Sequence, residues 1–226
     1  MKIVSVQKTS LIDYPDNISS ILFLSGCNFR CPYCHNRDLV LDTLQGLDEE
    51  EVVEELRSRK EYIDAAVITG GEPTMHQGLP ELIESIRNIP LLVKLDTNGS
   101  HPSMLKSMLE KELLDYVAMD IKADLATYSK AAGVTVDTAA IERSIDLLRN
   151  SGIEYEFRTT VVPQFYNETI AENIGKLIEG GSKYYLQEFV PKNTLDPTFE
   201  EVEPYLPSTF EKFAKILRPY IQTEVR

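Results

Sequence analysis

The chain has 226 residues, 36 of them acidic and 23 basic, for a formal net charge of −13 at pH 7. That balance argues against nucleic acid or an anionic membrane as the main partner. Hydrophobic content of 42% with 26% charged residues suits a folded domain with a sizeable core, and no apolar run approaches the roughly 18 residues of a membrane span. The opening MKIVSVQKTSLIDYPDN has no secretory signal. A cytoplasmic location is therefore expected, where structural disulfides are rare.

In chain order, residues 2–6 read as a short edge strand, and SSILFLS, 19–25, as a strand ending at Gly26 and a cysteine-bearing loop. A helix over 47–60 has Asp48 as N-cap, acids in its first turn and bases in its last. AAVITGGEP (65–73) is a buried strand running into glycines, and 79–87 is helical. PLLVKLDTNGS (90–100) is a strand ending in a turn; Pro102 opens the helix of 101–111. LLDYVAMDIKAD (113–124) is a strand, and Gly152 closes the helix that runs from 137. The strand of 153–163, the Asn167-capped helix of 167–181 and the strand KYYLQEFVP (183–191) follow. A proline- and acid-rich loop then leads to a helix near 208–218.

Six strand-then-helix units imply parallel strands and right-handed crossovers. A full eight-stranded barrel takes about 250 residues. The expected fold is therefore a partial (β/α)6 TIM-like barrel, open on one side, with a doubly wound sheet as the alternative. Both place ligand groups at the carboxyl ends of strands. One domain is expected, with a core of about 17–190 and a C-terminal loop and helix over 191–226.

All three cysteines lie in SGCNFRCPYCHN, 25–36, as Cys27, Cys31 and Cys34. CPYC has the form of a glutaredoxin pair, but that fold is much shorter and has no use for Cys27. CPYCH spells a c-type haem attachment site, which needs export in most settings and leaves Cys27 idle. Zinc with His35 as fourth ligand is chemically open, although adjacent residues in a tight loop rarely both reach one tetrahedral ion. An iron–sulfur cluster is the remaining reading. Such cubanes normally take four thiolates; with three, one iron takes an outside ligand. Other strand ends carry further candidates: Gly70, Gly71 and Glu72; Asp96, Thr97 and Asn98; Asp120 and Lys122; and Arg158. Charged or polar groups at such positions in a parallel barrel are more often functional than structural. The plain alternatives are helix capping by Thr97 or Asn98, a solvated Lys122, and Arg158 as a structural ion-pair partner.

C-x3-C-x2-C with Tyr33 before the last cysteine resembles the radical S-adenosylmethionine family. The resemblance implies a 4Fe–4S cluster held by Cys27, Cys31 and Cys34, with S-adenosylmethionine chelating the open iron and cleaved by one electron. It further implies that the Gly70–Gly71 backbone meets the methionine moiety and that Glu72 receives its ammonium. Tyr33, Asn98 and Arg158 complete the cosubstrate set. DTNG (96–99) and DIK (120–122) are similar to the pyruvate formate-lyase activase pattern. There the two aspartates go with the cosubstrate and a nearby monovalent cation, Thr97 with the cosubstrate, and Lys122 with the substrate side. The opening over 10–36 resembles the branch activating anaerobic ribonucleoside-triphosphate reductase. The implied function is hydrogen abstraction from a glycine of a partner glycyl radical enzyme, with flavodoxin or ferredoxin as electron donor. The alternative is a radical enzyme of small-molecule or nucleoside chemistry in cofactor biosynthesis. His35, His76 and His101 read as loop or cap residues.

Overall fold

The computed structural model describes all 226 residues, and they gather into two compact units. The first comprises Met1–Asn28, Asp38–Thr97 and Ser103–Val117. Its strands stand in chain order. They are β1 (Ile3–Tyr14) and β2 (Asn17–Leu24), then β3 (Ala65–Gly70) and β4 (Leu92–Thr97). β1 is antiparallel to β2, whereas β2, β3 and β4 are parallel. The expected edge strand of 2–6 is thus longer than its side chains suggest. Residues 7–13 lack a clean apolar alternation, and β1 is joined to β2 with register shifts, so backbone pairing carries the strand where patterning does not. Asp16, with φ of 60°, makes the tight turn between them.

Ala65–Ile68 on β3 are wholly buried, as a central parallel strand requires. The helices are α1 (Arg37–Val40), α2 (Glu49–Ser58), α3 (Leu79–Arg87) and α4 (Pro102–Glu110). Asp48 caps α2 by accepting from Glu51 N at 3.0 Å, and α3 buries Leu79, Leu82, Ile83 and Ile86. Two aspartates fix the strand starts. Asp64, just before β3, accepts from Ile18 N at 2.9 Å. Asp115 accepts from Val93 N at 2.7 Å and from Arg87 Nη1 at 2.9 Å.

The second unit comprises Phe29–Arg37, Asn98–Pro102 and Ala118–Arg226. The division falls within β5 (Tyr116–Asp120). Then follow α5 (Tyr128–Ala132), α6 (Thr138–Arg149), β6 (Glu154–Val161), α7 (Glu168–Leu177), β7 (Lys183–Glu188), α8 (Pro207–Leu217) and β8 (Gln222–Val225). β6, β7 and β8 are parallel and in chain order. Asp137 and Asn167 cap α6 and α7. A buried relay ties the strands: Tyr184 Oη donates to Thr159 Oγ1 at 2.6 Å, and Thr159 Oγ1 donates to Ile121 O at 2.5 Å. The six strands expected from the sequence are β2–β7; α1, α5 and β8 are additions. Each unit's sheet ends at an edge strand, β1 in the first and β8 in the second. No helix is long and apolar enough to cross a membrane.

Asp115→Ala removes a carboxylate that holds a strand amide and a guanidinium. The expected loss is about 2 kcal/mol of unfolding free energy, read by urea denaturation.

Candidate active site

In the first unit, β3 runs into Gly70–Gly71–Glu72–Pro73. Gly70 has φ of 122°, and a Cβ there would stand 2.3 Å from Leu24 O. Gly71 N donates to Leu24 O and Glu72 N to Gly26 O, each at 2.8 Å. A Cβ on Gly71 would lie 1.9 Å from Gly26 O. Both glycines are therefore required by the chain itself: they let the GGEP backbone lie against the residues that lead into Cys27. The same stretch is held from its other side, since Ser25 N donates to Lys2 O at 3.0 Å and Gly26 N to Leu39 O at 2.7 Å. His76 Nε2 lies 3.0 Å from Ser25 O, and a carbonyl acceptor assigns the proton to that nitrogen.

Glu72 is completely buried. Its Oε1 accepts from Thr74 N at 3.1 Å, from Thr74 Oγ1, and from Thr97 Oγ1 at 2.7 Å. The carboxylate thus caps the 3-10 turn Pro73–Met75 and fixes Thr97, a task the sequence did not reveal. Asp96, at the end of β4, accepts from Lys94 Nζ at 2.7 Å. The Lys94 side chain is 3% exposed, and its ammonium lies 5.8 Å from the centroid of the Tyr116 ring.

In the second unit, the remaining cysteine loop turns tightly, with Cys34 N donating to Cys31 O at 3.0 Å. Arg30 N donates to Ala132 O at 2.8 Å, beside Gly133 (φ 68°), where a Cβ would meet Arg30 O at 2.1 Å. Leu195 N donates to Cys34 O at 2.8 Å and Asp196 N to Pro32 O at 2.9 Å. Tyr33 is buried, its ring against Phe165 and Phe189 at centroid distances of 5.8 and 6.5 Å. Its enclosed hydroxyl interacts with the Cys31 thiol and stands in the field of Lys122 and Asp120.

Burial pushes the Cys31 thiol up to about 11, against the pull of the Lys122 ammonium. Burial raises Cys34 as well, and Lys122 again opposes it. Burial would also raise the Asp120 carboxyl, but Lys122 at 2.9 Å and Arg158 Nε at 3.0 Å hold it at about 2. Burial alone would lower Lys122; Asp120 foremost keeps it well above the usual lysine range. Lys122 is thus no solvated loop residue, and Arg158 does form the ion pair weighed from the sequence. Asn98 closes a local turn by accepting from Ser100 N at 2.9 Å.

The expected residues therefore divide. The first unit holds Cys27, Gly70, Gly71, Glu72, Asp96 and Thr97; the second holds Cys31, Tyr33, Cys34, Asn98, Asp120, Lys122 and Arg158. No three His, Cys, Asp or Glu side chains stand as a ready-made metal cage. Sequence reading missed Lys94, Gly133, Leu195 and Asp196; His76, read as a loop or cap residue, does cap the 3-10 turn. Lys94 had a signal, two residues before Asp96 on a strand and so on the same face. Leu195 and Asp196 act on the loop through backbone amides and had none.

The family profile described as the Radical SAM superfamily matches residues 21–177. The chain belongs to this superfamily. Over 221 residues it is 34% identical to a Methanocaldococcus jannaschii protein, MJ1227, provisionally named a glycyl-radical enzyme activating enzyme, covering 96% of this chain and 91% of the relative. The pyruvate formate-lyase-activating enzyme of Clostridium pasteurianum is 25% identical, with 97% and 88% covered. A 7-carboxy-7-deazaguanine synthase of Hyperthermus butylicus is 30% identical, with 75% and 68% covered. Among solved structures, Streptococcus suis SuiB bound to S-adenosylmethionine matches with a TM-score of 0.70 at 11% identity, over 91% of this chain and 51% of that one. The fold is thus the parallel α/β, partial-barrel fold of radical SAM enzymes, and the family works with a 4Fe–4S cluster and S-adenosylmethionine. The loop fits such a cluster. No disulfide joins its three thiols, and the Lys122 ammonium opposes the burial that keeps Cys31 and Cys34 protonated.

Gly71→Ala forces its Cβ onto Gly26 O, ahead of Cys27. We expect a stability loss above about 2 kcal/mol and a clear fall in iron bound after anaerobic reconstitution. Gly78→Ala, with nothing within 4 Å of the added Cβ, should leave iron content unchanged.

Proposed function

We propose that this radical SAM enzyme activates a glycyl radical enzyme by removing a hydrogen atom from the Cα of one of its glycines. The observation that carries this reading is similarity running through nearly the whole of both chains to two relatives named as activating enzymes. The deazaguanine synthase, by contrast, covers only 75% of this chain. The anaerobic ribonucleotide reductase is our choice of partner, on the motif resemblance over residues 10–36. Flavodoxin or ferredoxin is our choice of donor, and the cytoplasm our choice of compartment.

In this reading Cys27, Cys31 and Cys34 hold the cluster as thiolates. When bound, the cluster would supply the one electron for reductive cleavage of S-adenosylmethionine, whose products would be methionine and, with the hydrogen taken from the glycine, 5′-deoxyadenosine. Gly70 and Gly71 bring the GGEP backbone against the loop, and Thr97, fixed by Glu72, offers backbone groups toward the cosubstrate. On the motif resemblance we assign Asp96 of the first unit, and Asn98, Asp120 and Tyr33 of the second, to the cosubstrate; Lys122 and Arg158 offer fixed charge to carboxylates of the cosubstrate or the incoming peptide. No side chain has to move a proton for hydrogen-atom abstraction, consistent with the lack of an acid–base pair in this assignment.

Cys31→Ala should abolish cluster assembly and reductive S-adenosylmethionine cleavage together, measured as bound iron and as 5′-deoxyadenosine formed; cleavage with full iron occupancy would refute the ligand assignment. Mixing the reduced, cluster-loaded protein with S-adenosylmethionine and anaerobic ribonucleotide reductase should give a glycyl doublet in the electron paramagnetic resonance spectrum of the reductase. No doublet with any glycyl radical enzyme, together with turnover of a pterin or nucleoside substrate, would replace this reading with the biosynthetic one.

A further inference from the structure

We propose that Lys94 is a built-in counter-ion for Asp96, so that the DTNG carboxylate of this chain takes no monovalent metal cation. The proposal rests on the reading of Asp96 as part of the cosubstrate site, and it corrects the cation that the motif resemblance implies there.

Lys94 and Asp96 are two residues apart on one strand, so their side chains leave the same face. The lysine is almost fully enclosed, with its side chain 3% exposed against 13% for Asp96. A buried ammonium persists only where a compensating charge and aligned acceptors meet it. Here the compensation is Asp96 Oδ1 at 2.7 Å, a distance typical of charge-assisted hydrogen bonds. The face of Tyr116, 5.8 Å away, adds the attraction of its ring quadrupole. Both partners stand on the unit's parallel strands or at their ends, where packing holds them. A bound sodium or potassium ion would perform the same electrostatic task, one positive charge beside one carboxylate. The lysine performs it from a fixed tether, independently of the salt in solution. A second cation at the same carboxylate would meet the ammonium at close range, and that repulsion is strongest where water is excluded.

The second unit shows the same arrangement on its own aspartate. Asp120 is bound by Lys122 at 2.9 Å and by Arg158 at 3.0 Å. Both aspartates that the resemblance links to a cation therefore already have protein cations, by the same i, i+2 spacing in Lys94–Asp96 and Asp120–Lys122. Lys94 acts through Asp96 and is a positioning residue.

The test uses the cluster-loaded protein. S-adenosylmethionine affinity is measured by calorimetry in potassium, sodium and choline chloride at equal ionic strength, for the wild type, Lys94→Met and Lys94→Arg. Wild type and Lys94→Arg should bind equally well in all three salts. Lys94→Met should bind about tenfold more weakly in choline, within the usual range of coupling between two ligands, and recover in potassium. In crystals grown with thallium(I) in place of potassium, anomalous scattering should show no ion at Asp96 in the wild type and an ion there in Lys94→Met. Wild-type affinity that falls in choline, or a thallium peak on Asp96 in the wild type, overturns the proposal. So does a Lys94→Met loss that no cation restores, which would make Lys94 a packing residue only. If Lys94→Met does not fold, the wild-type salt series and thallium map decide alone. Absence of S-adenosylmethionine binding in every salt would fell the functional reading instead, and the thallium map would still decide whether Asp96 holds a cation.

Discussion

An irregular loop cannot satisfy its own backbone, and buried amides and carbonyls without partners are costly. The stretch from Ser25 to Cys34 forms no helix or strand, so neighbouring segments must supply its hydrogen bonds. In the first unit Lys2, Leu39, Glu72 and His76 engage Ser25 and Gly26. In the second, Ala132 engages Arg30, while Leu195 and Asp196 engage Pro32 and Cys34. The placement of the thiols follows from these backbone contacts, and so do several residue choices elsewhere. Gly71 and Gly133 lie against Gly26 and Arg30 so closely that no side chain fits. The Leu195–Asp196 contacts also give a purpose to the segment beyond the last recognisable motif. Asp196 caps the following 3-10 turn by accepting from Thr198 N and Oγ1. Phe199 of that turn stacks on Phe165, itself against the Tyr33 ring. Packing and hydrogen bonding thus converge on the same few residues.

Charge, too, is brought out of water at the strand ends. Lys94, Asp96, Asp120, Lys122 and Arg158 are largely withdrawn from solvent, and the ion pairs among them lie within 3.0 Å. Such pairs are weak evidence for stability, because desolvation offsets much of the attraction. Their value is positional. A carboxylate held between two cations keeps one charge state and one orientation over the working pH range, as the depressed Asp120 shows. The Lys122 ammonium partly offsets the burial that raises the Cys31 and Cys34 thiols, which must lose their protons to bind metal.

Much of the fold was legible because its signals are local. Helix caps at Asp48 and Asn167 are side chains with one preferred task, and each accepts the expected amide. The six strands showed as apolar runs bounded by glycine, proline and acid. β1 beyond residue 6 and the whole of β8 showed weakly, since edge strands are held by pairing and have little apolar pattern. Glu72 illustrates a subtler limit. Its motif suggested an acceptor for a ligand's ammonium, yet its Oε1 gathers Thr74 and Thr97, which lie two and twenty-five residues away.

The sequence by itself determined the family and the succession of strands, because motif spacing and hydrophobic period are properties of neighbours along the chain. Tertiary structure alone decided which carboxylates are already neutralised, which glycines are sterically required, and which distant amides hold the cysteine loop. Those depend on distances between residues far apart in the chain, and backbone donors carry no side-chain signature by which to read them.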